Sequence, residues 1–391
     1  MIKNYFLKHK NINVVEFLME DEKYNLLGVN SIFNTERLPF NILYRDNMPH
    51  FIVQLNTWIS TRGLSGSRKD LNEIKRLFNT DEKNELIIKS FGLNVTDHYW
   101  ICETDNEKKW EDVNCFDNIF DEILLKSNMD FSIDKNVRNP SPNFCVDGSI
   151  VKRWIVNENK ERVLLKGSMY GIMQEPFNEI IASDIMREFG INHVEYNLKR
   201  NNDFIPYSEC NTMSDKDNEY INANWVLGLE DYGLKDTYTH FIDICTRNGI
   251  KDVKNRIDEM IAIDFIIGND DRHKGNFGII RNSNSLEWMN IAPIFDNGNS
   301  LFYDRTDYDI DNFGIDSIGK SFGDSNRLQL NLINYPEWYK NSCKNNIIEI
   351  VDLHISKNER INQKRKDKII NITEKRIEIF ENMINNKTFN H

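Results

Sequence analysis

The chain has 391 residues, 40% of them apolar and 11% aromatic, which excludes wholesale disorder and supports packed cores in two or three domains. The 61 Asp and Glu against 49 Lys and Arg leave a net charge of −12, which argues against non-specific polyanion binding by the whole surface, and direct nucleic-acid binding is not expected. No apolar run of about 18 residues exists, so no membrane span is expected. The start, Met1 to Tyr5, lacks an apolar signal core, and Cys102, Cys115, Cys145, Cys210, Cys245 and Cys343 form no Cys-x-x-Cys pair. Scattered cysteines of this kind place the chain, by expectation, in the reducing cytoplasm.

In chain order, the first 45 residues mix short apolar runs with polar turns. Asn41–Tyr44 and Phe51–Leu55 are compatible with strands or short helical pieces. Leu71, Ile74, Leu77 and Phe78 fall at helical spacing behind a capping residue, Ser67. Glu85–Ser90 is a further apolar segment, ended by Gly92, and Tyr99, Trp100, Trp110, Phe116 and Phe120 are aromatics of a core. The polar stretch 128–143, with Pro140 and Pro142, is the best linker in the chain and places a domain boundary near residue 140.

Beyond it, Ile150–Val156 and Arg162–Lys166 flank a polar turn and predict a hairpin. Pro176 opens an amphipathic helix with Phe177, Ile181, Ile185 and Phe189 on one face, and Gly190 closes it. Val194–Leu198 and Ile205–Tyr207 predict two strands. After Asn211 helices are expected, with a strongly apolar one over Arg256–Gly268. Phe277–Ile280 and Met289–Phe295 predict a hairpin, and Asn362–Met383 a terminal helix.

The informative stretch joins that apolar helix to the hairpin: Gly268-Asn-Asp-Asp-Arg-His-Lys-Gly-Asn276. Phosphoryl transfer needs a carboxylate to orient and deprotonate the attacking hydroxyl, with an amide oxygen and a second carboxylate to hold Mg²⁺. Asp271 and Asn276 offer the first two, and Asp296, at the end of Ile294-Phe295, offers the third. Asn276 and Asp296 supply the oxygen ligands that a hard cation prefers. A cation on the nucleotide phosphates and an acid to steady it are the other requirements. Lys166 at a strand end and Glu179 on the following helix meet them.

These motifs resemble the HipA-like serine/threonine kinases of toxin–antitoxin type. The resemblance covers about residues 143–385 and rests on Leu164-Leu165-Lys166-Gly167, Glu175-Pro176-Phe177-Asn178-Glu179, the Gly268–Asn276 loop and Ala292-Pro293-Ile294-Phe295-Asp296. The Asp271-Arg272-His273-x-x-Asn276 string is also similar to phosphoinositide kinases. The resemblance implies an α+β, bilobed protein-kinase-like fold: residues 141–210 as N-lobe, 211–391 as a mostly helical C-lobe, and 1–140 as an N-terminal α+β domain.

It further implies ATP and Mg²⁺ as cofactors, Asp271 as catalytic base, and His273 steadying the transferred group. Lys166 with Glu179 would serve the ATP phosphates, and Asn276 and Asp296 the metal. Glu209-Cys210 would fall at the hinge, where backbone meets adenine. An antitoxin is the implied candidate partner, and the substrate is expected to be a protein Ser or Thr.

The chain also departs from kinase patterns. No Gly-x-Gly-x-x-Gly precedes Lys166; the only candidate phosphate loop holds Gly148 and Ser149, and by the resemblance Ser149 is a candidate autophosphorylation switch. Asn297 stands where Asp-Phe-Gly kinases have Phe. The acidic run Asp304, Asp307, Asp309, Asp311 and Asp316 is either a solvated loop or a dock for a basic substrate. A small-molecule or lipid kinase, a nucleotidyl transferase and a non-catalytic ATP-binding pseudokinase are the alternative readings.

Overall fold

The computed structural model describes the chain except residues 22, 45–46, 64–82, 121–151, 170, 232, 316–317, 335–337, 341–342 and 389–391. The helix expected over 67–78, the linker at 128–143, and Gly148 and Ser149 therefore lie outside the described residues. The chain falls into two units. The first comprises Met1–Leu165, Thr212–Tyr220 and Arg281–Glu287; the second comprises Lys166–Asn211, Ile221–Ile280 and Trp288–His391. The architecture is mixed α+β, as the sequence indicates: eleven α-helices and three sheets are described.

In the first unit, β1 (Ile2–His9), β2 (Ile12–Glu20), β3 (Leu26–Ile32) and a later strand, β4 (Tyr99–Glu103), form an antiparallel sheet in the order β3-β2-β1-β4. Period-two alternation turns Tyr5, Leu7 and His9 inward. The apolar runs of the first 45 residues are thus largely strands. Phe51–Leu55, ambiguous in sequence, belongs to α1 (Met48–Thr61). The deciding features are the Asn47 side chain, which accepts from the His50 N–H at 3.1 Å, and Pro49 in the first turn.

Phe51, Leu55, Trp58 and Ile59 then fall on one face and pack into a core with Tyr5, Val15, Phe17 and Tyr99. Each such side chain, fully buried, contributes about 1.5–3 kcal/mol. Arg62, just beyond α1, is buried against Asp97, with bonds of 2.5 and 2.9 Å, and also donates to the Gly92 carbonyl at 2.7 Å. Helix α2 (Lys83–Lys89) precedes β4, and α3 (Trp110–Val113) follows it. Trp100, Trp110, Phe116 and Phe120 share a second core with Trp154, whereas Tyr99, grouped with them in the sequence, packs into the first core. The predicted hairpin is present as β5 (Lys152–Val156) and β6 (Arg162–Lys166).

The second unit begins with α4 (Glu175–Glu188), ended near Gly190, whose φ of +68° is the left-handed conformation glycine adopts readily. β7 (Tyr196–Arg200) pairs antiparallel with β8 (Pro206–Asn211). The chain after Asn211 is not helical at once: Thr212–Tyr220 belongs to the first unit, and β9 (Asn218–Asn222) comes before any helix. Helices α5 (Ala223–Leu227), α6 (Thr237–Arg247) and α7 (Val253–Ile267) follow. The apolar helix read from the sequence is α7, buried on nearly every side, which is why its sequence shows little amphipathic contrast.

β10 (Gly278–Asn282) and β11 (Trp288–Ile291) form the expected strand pair. The second strand is shorter than predicted, and Ile294 makes only an isolated bridge with His193. Gly278 is required by close approach: an added Cβ would lie 2.0 Å from the Ile221 carbonyl oxygen. Helices α8 (Asp307–Phe313), α9 (Asn326–Gln329), α10 (Cys343–Ile355) and α11 (Gln363–Thr388) complete the unit. No helix among the described residues is long and apolar enough to cross a membrane.

Candidate active site

The candidate loop is set by the end of α7. Gly268, at φ +64°, turns the chain out of the helix, and Asn269 donates to the Asp264 carboxylate at 2.9 Å while accepting the Asp271 N–H at 3.0 Å. The Asp271 carbonyl in turn accepts the His273 N–H at 2.7 Å and Asn276 Nδ2 at 3.1 Å. The spacing from Asp271 to Asn276 is therefore a closed, hydrogen-bonded turn. The Asp271 carboxylate, about 30% exposed, receives Asn299 Nδ2 at 2.8 Å on one oxygen and Lys320 Nζ at 2.7 Å on the other. Asp270 points elsewhere, with Arg305 at 3.4 Å.

Arg272 holds this loop to the strand end that carries Asp296. It is 1% exposed, donates to Asp264 at 3.0 Å and to the Asn276 carbonyl at 3.0 Å, and reaches the Phe295 carbonyl and the Asn297 side chain. A guanidinium suits the place because its planar fork serves several acceptors at fixed angles. Burial pushes the Asp264 carboxyl up and Arg272 opposes that shift. The sequence reading gave no role to Arg272, Asp264, Asn299 or Lys320. Asp264 left a signal, a lone charge within the apolar stretch Met260–Ile267; Asn299 and Lys320 left none.

The second cluster joins Lys166, Glu179 and Asp296. Lys166 Nζ contacts Glu179 Oε1 and lies 2.5 Å from Asp296 Oδ1. Burial alone would lower the lysine's pKa, but Asp296 and Glu179 reverse this and hold it ionised. Glu179 Oε2 accepts the Asn297 N–H at 2.8 Å, and Asn178 donates to the Gly298 and Ser300 carbonyls at 2.8 and 2.7 Å. The Glu175–Glu179 motif thus grips the segment after Asp296 by its backbone. Asp296 has φ +59°, a left-handed conformation uncommon for a non-glycine residue, and its N–H donates to the Tyr196 hydroxyl at 3.2 Å. Backbone strain of this sort concentrates at functional positions.

The remaining predicted residues are less central. His273 is exposed, and its Nδ1 accepts the Gly275 N–H at 3.0 Å. Glu209 and Cys210 lie on β8, paired with Asn197 and Tyr196; burial pushes the Cys210 thiol up to about 12. In the acidic run, Asp307 and Asp311 pair with Arg365 and Lys368, and Asp309 caps α8 with Thr306. Those three have structural partners.

No protein-family profile matches the chain. A curated serine/threonine-protein kinase of Helicobacter pylori, CtkA, is 52% identical over 44 residues, 11% of this chain and 13% of that protein. The chain therefore spans only 13% of that relative's length. Among solved structures the chain is similar to the H. pylori proinflammatory kinase CtkA, at 21% identity, 60% of this chain, 93% of that chain and a TM-score of 0.48. It is also similar to HipA of Shewanella oneidensis, solved with HipB and operator DNA, at 11% identity, 97% of this chain, 99% of that chain and a TM-score of 0.49. Over those 44 residues the chain resembles a curated serine/threonine kinase.

Proposed function

We propose that the chain is an ATP- and Mg²⁺-dependent kinase that transfers the γ-phosphoryl group to a Ser or Thr hydroxyl of a protein. The observation that carries this reading is Arg272, which ties the Asp271–Asn276 loop to the Asp296 segment that Lys166 and Glu179 hold from the other direction. Asp271 would take the substrate hydroxyl proton. Lys166, kept ionised and aimed by Glu179, would hold the nucleotide phosphates. His273, exposed at the loop's edge, would steady the transferred group.

Asn276 and Asp296 fit Mg²⁺: both offer hard oxygen donors, and Asp296 is about 28% exposed beside a buried lysine. When bound, the ion would neutralise charge on the phosphate oxygens. Glu209 and Cys210 would line the adenine end. Residues 141–210 and 211–391 would serve as the kinase lobes, with 1–140 as an extension. By the same resemblance, Ser149 would be the autophosphorylation site and an antitoxin the regulatory partner.

Incubation with γ-labelled ATP and Mg²⁺, followed by mass spectrometry of the protein and of a cell lysate, tests the reading. Phosphorylation adds ~80 daltons where nucleotidyl transfer from reversed ATP adds ~329. No label on any protein, on lipid or on a small molecule would leave a pseudokinase.

A further inference from the structure

Away from the kinase-like residues, the first unit buries three titratable side chains that face one another. They are His9 at the end of β1, His98 just before β4, and Glu219 on β9, each 0% exposed. His9 Nε2 and His98 Nδ1 each lie 3.5 Å from Glu219 Oε2, and the three atoms all fall within 4.8 Å of one another. None of the three makes a hydrogen bond, although leaving buried polar atoms unpaired is costly.

The outer atoms of the residues are well held. His98 Nε2 lies 2.8 Å from the Asp215 carbonyl, and Glu219 Oε1 accepts from Arg281 at 2.7 Å. The carbonyl requires the His98 proton on Nε2, which turns the bare lone pair of Nδ1 toward the Glu219 carboxylate. Two acceptors facing each other at this distance call for a cation between them.

We propose that His9, His98 and Glu219 form a zinc site. Two imidazole nitrogens and one carboxylate oxygen are an established zinc donor set, with a water in the fourth position. Ligands about 2.0–2.1 Å from a tetrahedral zinc lie roughly 3.4 Å apart, close to the two separations measured here. The Asp215 carbonyl and Arg281 supply the outer bonds that orient such ligands. One contact opposes binding. Arg37 approaches His9 Nδ1 at 3.0 Å, and a zinc on Nε2 places the His9 proton at Nδ1. Arg37 must then give up that contact while keeping the Ser283 and Asn284 carbonyls at 3.0 and 2.6 Å. Because all three ligands are buried, the metal would act as a cross-link among β1, β4 and the remote β9 segment.

The test uses the full chain, stripped with a chelator and titrated with Zn²⁺ in saturating Mg²⁺. One zinc per chain should survive desalting in native mass spectrometry. The thermal midpoint should rise by roughly 3 °C with zinc a hundredfold above Kd. Co²⁺ in its place should give ligand-field bands without thiolate charge transfer, which separates this site from the cysteines. Glu219→Gln and His98→Gln, checked for folding by circular dichroism, should weaken zinc by at least about tenfold. Asp296→Asn should leave zinc binding intact. Folded wild-type protein that retains no zinc and shows no midpoint shift would overturn the site, leaving a proton as the occupant. Retention undiminished in both folded variants would overturn it too. Should both variants fail to fold, the wild-type titration and the Co²⁺ spectrum decide alone.

Discussion

Lys320 donates to Asp271 at 2.7 Å, although the two residues are 49 positions apart and Lys320 belongs to no regular element. The contact covers one oxygen of the carboxylate, while Asn299 donates to the other at 2.8 Å. Under the proposed function, a lysine there would either screen the base until substrate arrives or meet the incoming phosphoryl charge.

Substitution separates base from neighbour. Asp271→Asn should lower phosphoryl transfer by about 10²–10⁴-fold with ATP binding retained. Asp270→Asn, whose carboxylate faces Arg305, should stay within a few-fold of wild type. Lys320→Ala removes a partly exposed ion pair worth up to ~1 kcal/mol, so kcat/KM should change by roughly fivefold or less. Steady-state rates with labelled ATP check all three. An inactive Asp270→Asn beside an active Asp271→Asn would move the base by one residue.

Asp296→Asn preserves the left-handed backbone, because Asn tolerates positive φ. It removes the charge that meets Lys166 and would meet Mg²⁺. ATP affinity measured by calorimetry should fall more with Mg²⁺ than without it. Equal losses in the two conditions would take Asp296 out of the metal site.

Arg272→Lys should be strongly destabilising. A single ammonium cannot serve Asp264, the Asn276 and Phe295 carbonyls and Asn297 together, and breaking a buried ion pair costs about 3–5 kcal/mol. The urea midpoint should drop accordingly. A midpoint within experimental error of wild type would show that the network is dispensable.

Gly278→Ala places a methyl 2.0 Å from the Ile221 carbonyl, backbone against backbone, where no rotamer gives relief. A loss of about 1–3 kcal/mol is expected. Chemical denaturation of the two proteins side by side reads it directly.

Asp236 caps α6, accepting the Thr239 N–H at 2.8 Å, and that backbone bond holds its carboxyl below the ordinary 3.8. A lowered carboxylate pKa stabilises the fold fully above 3.8, and this contribution is lost as pH falls through the lower folded value. Asp236→Ala should therefore cost about 0.5–1 kcal/mol at neutral pH, at the low end for a solvent-exposed cap. The gap to wild type should close as acid protonates the native carboxylate. Urea midpoints across pH measure it, and a gap independent of pH would assign the effect to helix propensity.

Local elements with strong periodicity or punctuation were legible from the residues alone. These include the hairpin before Lys166, the helix opened by Pro176 and closed at Gly190, the apolar helix running into Gly268, and the polar loop from Asp271 to Asn276. Each is set by neighbours within a few positions, through dihedral preference, caps and spacing. The strands of the first 45 residues were not legible, because apolar residues on both faces run consecutively, as in Tyr5-Phe6-Leu7 and Phe17-Leu18-Met19, and mask the period-two pattern. β9 was missed because a short polar strand carries little pattern. Tertiary structure alone decided that Arg272 is an internal brace, that Lys320 and Asn299 meet Asp271, and that His9, His98 and Glu219 converge. Those side chains come from segments up to 210 positions apart. Their pairing is chosen by burial and by the need to satisfy each buried charge, and no local pattern encodes either.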